Sequence, residues 1–96
     1  MATYAVLATL TERGAQDLKG IAERRAKNMG ELAQRGIRVI ADFALMGEYD
    51  FLYIVEAPDN VTIMRETIKD VSSGTLRFQT LPAIPMDQFV ELTKGL

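Results

Sequence analysis

Apolar residues of the β-branched and aromatic kind concentrate between Ile37 and Ala57, in two runs, IRVIADFAL and FLYIVEA, separated by Met46-Gly47-Glu48-Tyr49-Asp50 and bounded by Gly36 and Pro58. The pattern predicts a hairpin, placed at the centre of a sheet. Upstream, Thr3 to Leu10 alternates loosely, with Tyr4, Val6, Ala8 and Leu10 on one side and Ala5, Leu7 and Thr9 on the other. Both sides are largely apolar, so this strand is expected to be buried on both faces. Thr11 then offers an N-cap oxygen and Glu12 suits the positive end of a helix dipole. The helical stretch runs to Gly36, a C′ residue. Gly14, Gly20 and Gly30 each cost roughly 1 kcal/mol relative to Ala, so a kink or break is expected near Gly20.

Leu18, Ile21, Ala22, Met29, Leu32 and Ala33 repeat at helical spacing, and Arg25 falls inside their stripe. A charge there requires a stem that snorkels or a head that meets a carboxylate; the sharper reading is a pocket arginine. After the hairpin, Asp59 or Asn60 caps a second helix with Val61, Met64, Ile68 and Val71 on its inward face and Arg65, Glu66, Lys69 and Asp70 outward. Ser72-Ser73-Gly74 stops it. Thr75 to Ile84 alternates Leu76, Phe78 and Thr80 against Arg77, Gln79 and Leu81, while Pro82 and Pro85 require its far end to lie at an edge or to leave the sheet. Asp87 caps a short last helix docked by Phe89, Val90 and Leu92.

The resulting order, β-α-β-β-α-β plus a short C-terminal helix, is the α+β, ferredoxin-like arrangement, with both helices on one face of an antiparallel sheet. In the hairpin, strict alternation places Ile37, Val39, Ala41, Phe43 and Leu45 with Phe51, Tyr53 and Val55. The opposite side holds Ile40, Ala44, Met46, Leu52 and Ile54, interrupted by Arg38, Asp42, Asp50 and Glu56. Neither side is simply polar. A second apolar face exceeds what a monomer leaves exposed, so a homodimer with face-to-face sheets is expected.

Composition narrows the chemistry. Ninety-six residues, 48% hydrophobic and 25% charged, make one domain spanning 1–96. No apolar run reaches the roughly 20 residues of a membrane helix. The N-terminus lacks a basic region and a cleavage site, so it reads as a strand of a cytoplasmic protein rather than as a secretory leader. The chain has no Cys and no His. Their absence removes disulfides, thiolate catalysis, Cys/His metal sites and His-based triads, and no metal or cofactor is expected. Net charge is −2; residues 1–38 carry +3 and the remainder −5. With a pI near 5.0, Arg24, Arg25 and Lys27 read as a solvated helix face, and neither nucleic acid nor membrane is an expected partner. No basic and aromatic ribonucleoprotein pattern occupies the strands.

Gly47-Glu48-Tyr49-Asp50 with its strand-like flanks, Glu56-Ala57-Pro58-Asp59 after it, Gly74 before a Thr-bearing last strand, and Leu10-Thr11 with Gly14 together resemble the GYD-domain family over nearly the whole chain. That resemblance implies a dimeric α+β barrel and supplies no reaction. The same hairpin resembles the effector-binding domain of leucine-responsive and asparagine-type regulators, where it lies near a small-molecule site at a subunit interface; the helix-turn-helix domain of those regulators is missing here.

Two roles for the motif stand side by side. As a hairpin clasp, Gly47 takes φ > 0 in a tight turn and Asp50 bonds nearby backbone N–H groups. As a ligand site, Tyr49 and Asp50 form a pocket rim, with Tyr53, Asp42, Glu56, Arg77 and Gln79 as walls and Arg25 as the pocket arginine. Asp42, Glu56 and Arg77 also suit cross-strand or intersubunit ion pairs. Two functional classes follow. One is a non-catalytic module that binds a small molecule or another subunit. The other is a cofactorless enzyme of isomerase or monooxygenase type, with Asp42, Asp50 or Glu56 as base and Tyr49 or Tyr53 as proton donor. A closed, ligand-sized cavity holding an unpaired carboxylate favours the enzyme; a filled barrel interior favours the module.

Overall fold

The computed structural model describes residues 1–96. Its elements are β1 (Ala2–Leu10), α1 (Glu12–Gln16), a 3₁₀ turn (Leu18–Gly20), α2 (Ile21–Gln34), β2 (Arg38–Ala44), β3 (Phe51–Ala57), α3 (Asn60–Ser72), β4 (Leu76–Ala83) and α4 (Met86–Thr93). The four strands form one antiparallel sheet in the order β2-β3-β1-β4. This is the ferredoxin-like order. The hairpin therefore supplies one central strand and one edge, and the centre of the sheet is the β1–β3 pair.

Local sequence signals account for most element ends. Thr11 caps α1 by accepting from the Gly14 N–H at 3.1 Å, and Asp59 caps α3 by accepting from Thr62 N–H at 2.8 Å. The expected break near Gly20 is the 3₁₀ turn. Helix α2 closes as a Schellman motif: Gly36, at φ 78°, donates to Ala33 O while Ile37 donates to Leu32 O at 3.0 Å. Ile37 and Leu32 then pack in the same cluster. Pro82 sits on β4, an edge strand whose outer side needs no donor.

The core lies between the sheet and α2 and α3. Tyr4, Val6, Val55, Ala57, Ile37 and Ile63 are its buried members, with Leu32, Val39, Tyr53 and Phe78 against them. The Tyr4 hydroxyl donates to Asn60 Oδ1, tying β1 to the start of α3. The other face of the sheet is open. Register places Thr3, Ala5, Leu7 and Thr9 there with Leu52, Ile54 and Glu56, with Arg77, Gln79 and Leu81, and with Arg38, Ala41 and Phe43. In the single chain β1 is thus covered on one face only.

In three elements, β2, α3 and α4, the structure also departs from the sequence expectations. Strict alternation breaks in β2, where a bulge between Val39 and Ala41 inserts Ile40 as an extra residue. Val39 keeps its predicted side, but Ala41 and Phe43 move to the open face and Asp42 and Ala44 join Val55, Tyr53 and Phe51 on the helix side. Helix α3 is turned opposite to its apolar stripe: Ile63 and Glu66 are buried, while Val61, Met64, Ile68 and Val71 are 47–67% exposed. Helix α4 starts after Pro85 without a side-chain cap, Asp87 lying inside its first turn. Its Phe89, Val90 and Leu92 are half or more exposed rather than docked.

Candidate functional site

A cavity of about 420 Å³ lies between the helix side of the sheet and helices α2 and α3. Its apolar lining includes Leu32, Val55, Phe51 and Phe78; its polar lining includes Arg25, Asp42, Tyr53, Glu66 and Asp70. The bulge at Ile40 is what brings Asp42 here, opposite Tyr53 in the β2–β3 ladder. Arg25 reaches down from α2 and grips the Asp42 carboxylate with both Nε and Nη2, at 2.8 and 3.0 Å. That bidentate fork explains how a charge sits inside the apolar stripe of α2: its head meets a carboxylate.

Tyr53 packs on the core cluster, and its hydroxyl makes no hydrogen bond. Burial raises its pKa, and the neighbouring negative charges of Asp42 and then Asp70 add to the shift. Asp70 faces the same space from α3, half-buried and without an ion-pair partner. Burial lifts its carboxyl above the usual carboxylate range, with the charge of Glu66 acting in the same direction. The other acids have partners. Glu66 pairs with Arg35 at 2.9 Å, and Glu31 pairs with Lys69, whose hydrogen bond lowers the Glu31 pKa.

The remaining sequence candidates lie elsewhere. Asp50 is a clasp: its Oδ2 accepts from Leu10 N–H at 2.8 Å, its N–H donates to Ala8 O at 2.9 Å, and its carbonyl accepts from Leu45 N–H at 2.8 Å. Gly47 takes φ 125°, as a tight turn requires. The Tyr49 hydroxyl donates to Gln79 Oε1, folding the turn over β4. Glu56 pairs across strands with Arg38 at 3.6 Å, on the open face, and Arg77 stands exposed on that same face. The structure therefore gathers Arg25, Asp42 and Tyr53 into one site and separates them from Tyr49, Asp50, Glu56 and Arg77. Asp70 was missed, because the helical pattern of α3 assigns it to solvent.

The model of the GYD domain matches residues 4–93. The chain belongs to the GYD-domain family. This GYD chain is also similar to a protein of Thermus thermophilus named glutamine synthetase and cystathionine beta-lyase binding protein. The two are 39% identical over 95 residues, covering 98% of this chain and all of that protein. No solved structure matches the chain. In this member of the GYD family the Gly47-Glu48-Tyr49-Asp50 stretch is built into the scaffold through the Asp50 and Tyr49 hydrogen bonds.

No helix of the chain is long and apolar enough to cross a membrane. What the surface does present is apolar area in three places: the open sheet face, the outward stripe of α3, and α4 with Met86, Phe89, Val90 and Leu92.

Proposed function

We propose that the chain is a cytoplasmic, non-catalytic interaction module that works as a homodimer, docks other proteins and holds a small molecule in its helix-side cavity. The observation that carries the docking role is the orientation of α3, whose carboxylates Glu66 and Asp70 turn inward while Val61, Met64, Ile68 and Val71 face solvent. A stripe of that kind is unfavourable unless a partner covers it. The name of the Thermus thermophilus relative supplies the partner class: metabolic enzymes such as glutamine synthetase and cystathionine beta-lyase.

Self-association is assigned to the open sheet face, where Leu52, Ile54, Leu7 and Phe43 are neighbours in register. The two surfaces lie on opposite sides of the sheet, so one dimer presents two α3 stripes. In this reading Arg25, Asp42 and Tyr53 line the ligand cavity, Arg25 and Asp42 as a closed pair that shapes its wall; Tyr49, Asp50, Glu56 and Arg77 serve the turn and the open face.

The test measures both surfaces with purified protein. Light scattering after gel filtration is expected to give a dimer for the parent and a monomer for Leu52→Asp. Biolayer interferometry against glutamine synthetase and cystathionine beta-lyase of the same organism is expected to show binding that Ile68→Lys abolishes and that Arg77→Ala leaves intact. Failure of the parent to bind either enzyme would overturn the docking role.

A second reading, a cofactorless enzyme, has one observation in its favour: the unpaired Asp70 carboxylate and the free Tyr53 hydroxyl, a base and a proton donor, both face one cavity. That cavity opens between α2 and α3 rather than inside a closed barrel. The interaction reading expects Asp70→Asn to retain full enzyme-partner binding.

A further inference from the structure

We infer that the cavity between α2, α3 and the sheet takes a small primary amine with an apolar body, its ammonium group held by the Asp70 carboxylate and the Tyr53 hydroxyl. This rests on the reading of the cavity as a ligand site, and it adds the sign of the ligand's charge and the residue that reads it.

The cavity, open to solvent on one side, has about 420 Å³, within the range of small-molecule sites. Leu32, Val55, Phe51 and Phe78 line it, so the bulk of an occupant is apolar.

Most charged groups that face the space are already paired. Arg25 is consumed by Asp42 through two hydrogen bonds, and Arg24 by Asp17, with a further bond to the Asp17 carbonyl at 2.9 Å. An anionic ligand therefore finds no free cation. Glu66 has its charge met by Arg35, although its buried Oε1 accepts no hydrogen bond, and Glu31 is paired with Lys69. Asp70 is the carboxylate left over, and Tyr53 is the hydroxyl left over. Four carboxylates, Glu31, Asp42, Glu66 and Asp70, line the cavity against two arginines.

Asp70 and Tyr53 both hold their protons more tightly than usual because burial and surrounding negative charge penalise their ionised forms. An ammonium group placed between them relieves that penalty, donating to the carboxylate and to the phenol oxygen. A carboxylate ligand would aggravate it, and a neutral alcohol would gain only the apolar contacts and weaker hydrogen bonds.

The experiment is a ¹H–¹⁵N NMR titration of the full chain at pH 7 with hexylamine, hexan-1-ol and hexanoate. Hexylamine is expected to bind about tenfold or more tightly than the other two, as a hydrogen bond to a charged group implies, with shifts at Leu32, Tyr53, Val55 and Phe78. Asp70→Asn should erase the amine's advantage over hexan-1-ol, and Tyr53→Phe should reduce that advantage while keeping the fold. Equal binding of amine and alcohol would overturn the inference and leave the cavity standing as an apolar site. Tightest binding by hexanoate would reverse the sign assigned here. No shift of cavity residues by any of the three would remove both the inference and the ligand-site reading beneath it.

Discussion

The end of the molecule where β1 runs into α1 and the space beneath α2 and α3 are built on opposite principles. At the first, every group is engaged: Leu10 N–H meets the Asp50 carboxylate, Thr11 donates its hydroxyl to Gly74 O at 2.6 Å and its N–H to Thr75 O at 3.1 Å, and Gly14 lies directly against the Thr75 carbonyl. At the second, a largely apolar lining surrounds an open cavity of about 420 Å³, and the Tyr53 hydroxyl and the Asp70 carboxylate face it unpaired. The contrast separates framework from site. The sequence motif that attracts attention, Gly47 to Asp50, belongs to the tight end, and the chemically unsatisfied residues belong to the loose one.

The largest effect is expected at Gly14. A Cβ there would stand 2.1 Å from the Thr75 carbonyl oxygen, a backbone atom with no freedom to move aside. Gly14→Ala should cost about 3 kcal/mol or more, the upper range of overpacking, seen as a large drop in urea midpoint; an unchanged midpoint would mean that the end is not tightly built. Asp50→Ala leaves the Leu10 N–H without its acceptor and should cost about 2 kcal/mol. Asp50→Asn, which keeps an acceptor oxygen, should recover part of that loss, and equal losses would show that the charge alone matters.

Gly47→Ala should cost about 1 kcal/mol through backbone strain alone, since φ is 125° and nothing lies within 4 Å of the added Cβ. A smaller and opposite effect is expected in the cavity. Burial, then the charge of Glu66, raises the Asp70 pKa in the folded chain. The folded state therefore binds the proton more tightly than the unfolded state, and stability falls as pH rises from the unfolded pKa through the folded one. Asp70→Asn should raise Tm at pH 7, with the gain vanishing near pH 3, roughly below the ordinary aspartate range. A lower Tm at pH 7 would mean that Asp70 has a stabilising partner and that the cavity is as well satisfied as the clasp.

Much of the framework was legible because its signals are local. The caps at Thr11 and Asp59, the Gly36 stop, the break near Gly20, the alternation of β4 and the element order each depend on residues a few positions apart. The GYD resemblance held over residues 4–93. The candidate site was legible only in part: Arg25, Asp42 and Tyr53 were named, but as members of a set that also held Tyr49, Asp50, Glu56 and Arg77.

Sequence by itself determined which segments are helix or strand and, apart from the start of α4, where the helices end, because hydrogen-bonding caps and turn glycines act over one turn of chain. It determined the sidedness of β4 and β3 too, since an uninterrupted strand alternates. Tertiary structure decided the sidedness of β2 beyond Ile40, because one extra residue in an edge strand reverses every side chain after it. It also decided the rotation of α3. An apolar stripe says which side of a helix avoids water, but its own sheet or another molecule can cover that side. In this chain the inward side is the one with Ile63, Glu66 and Asp70.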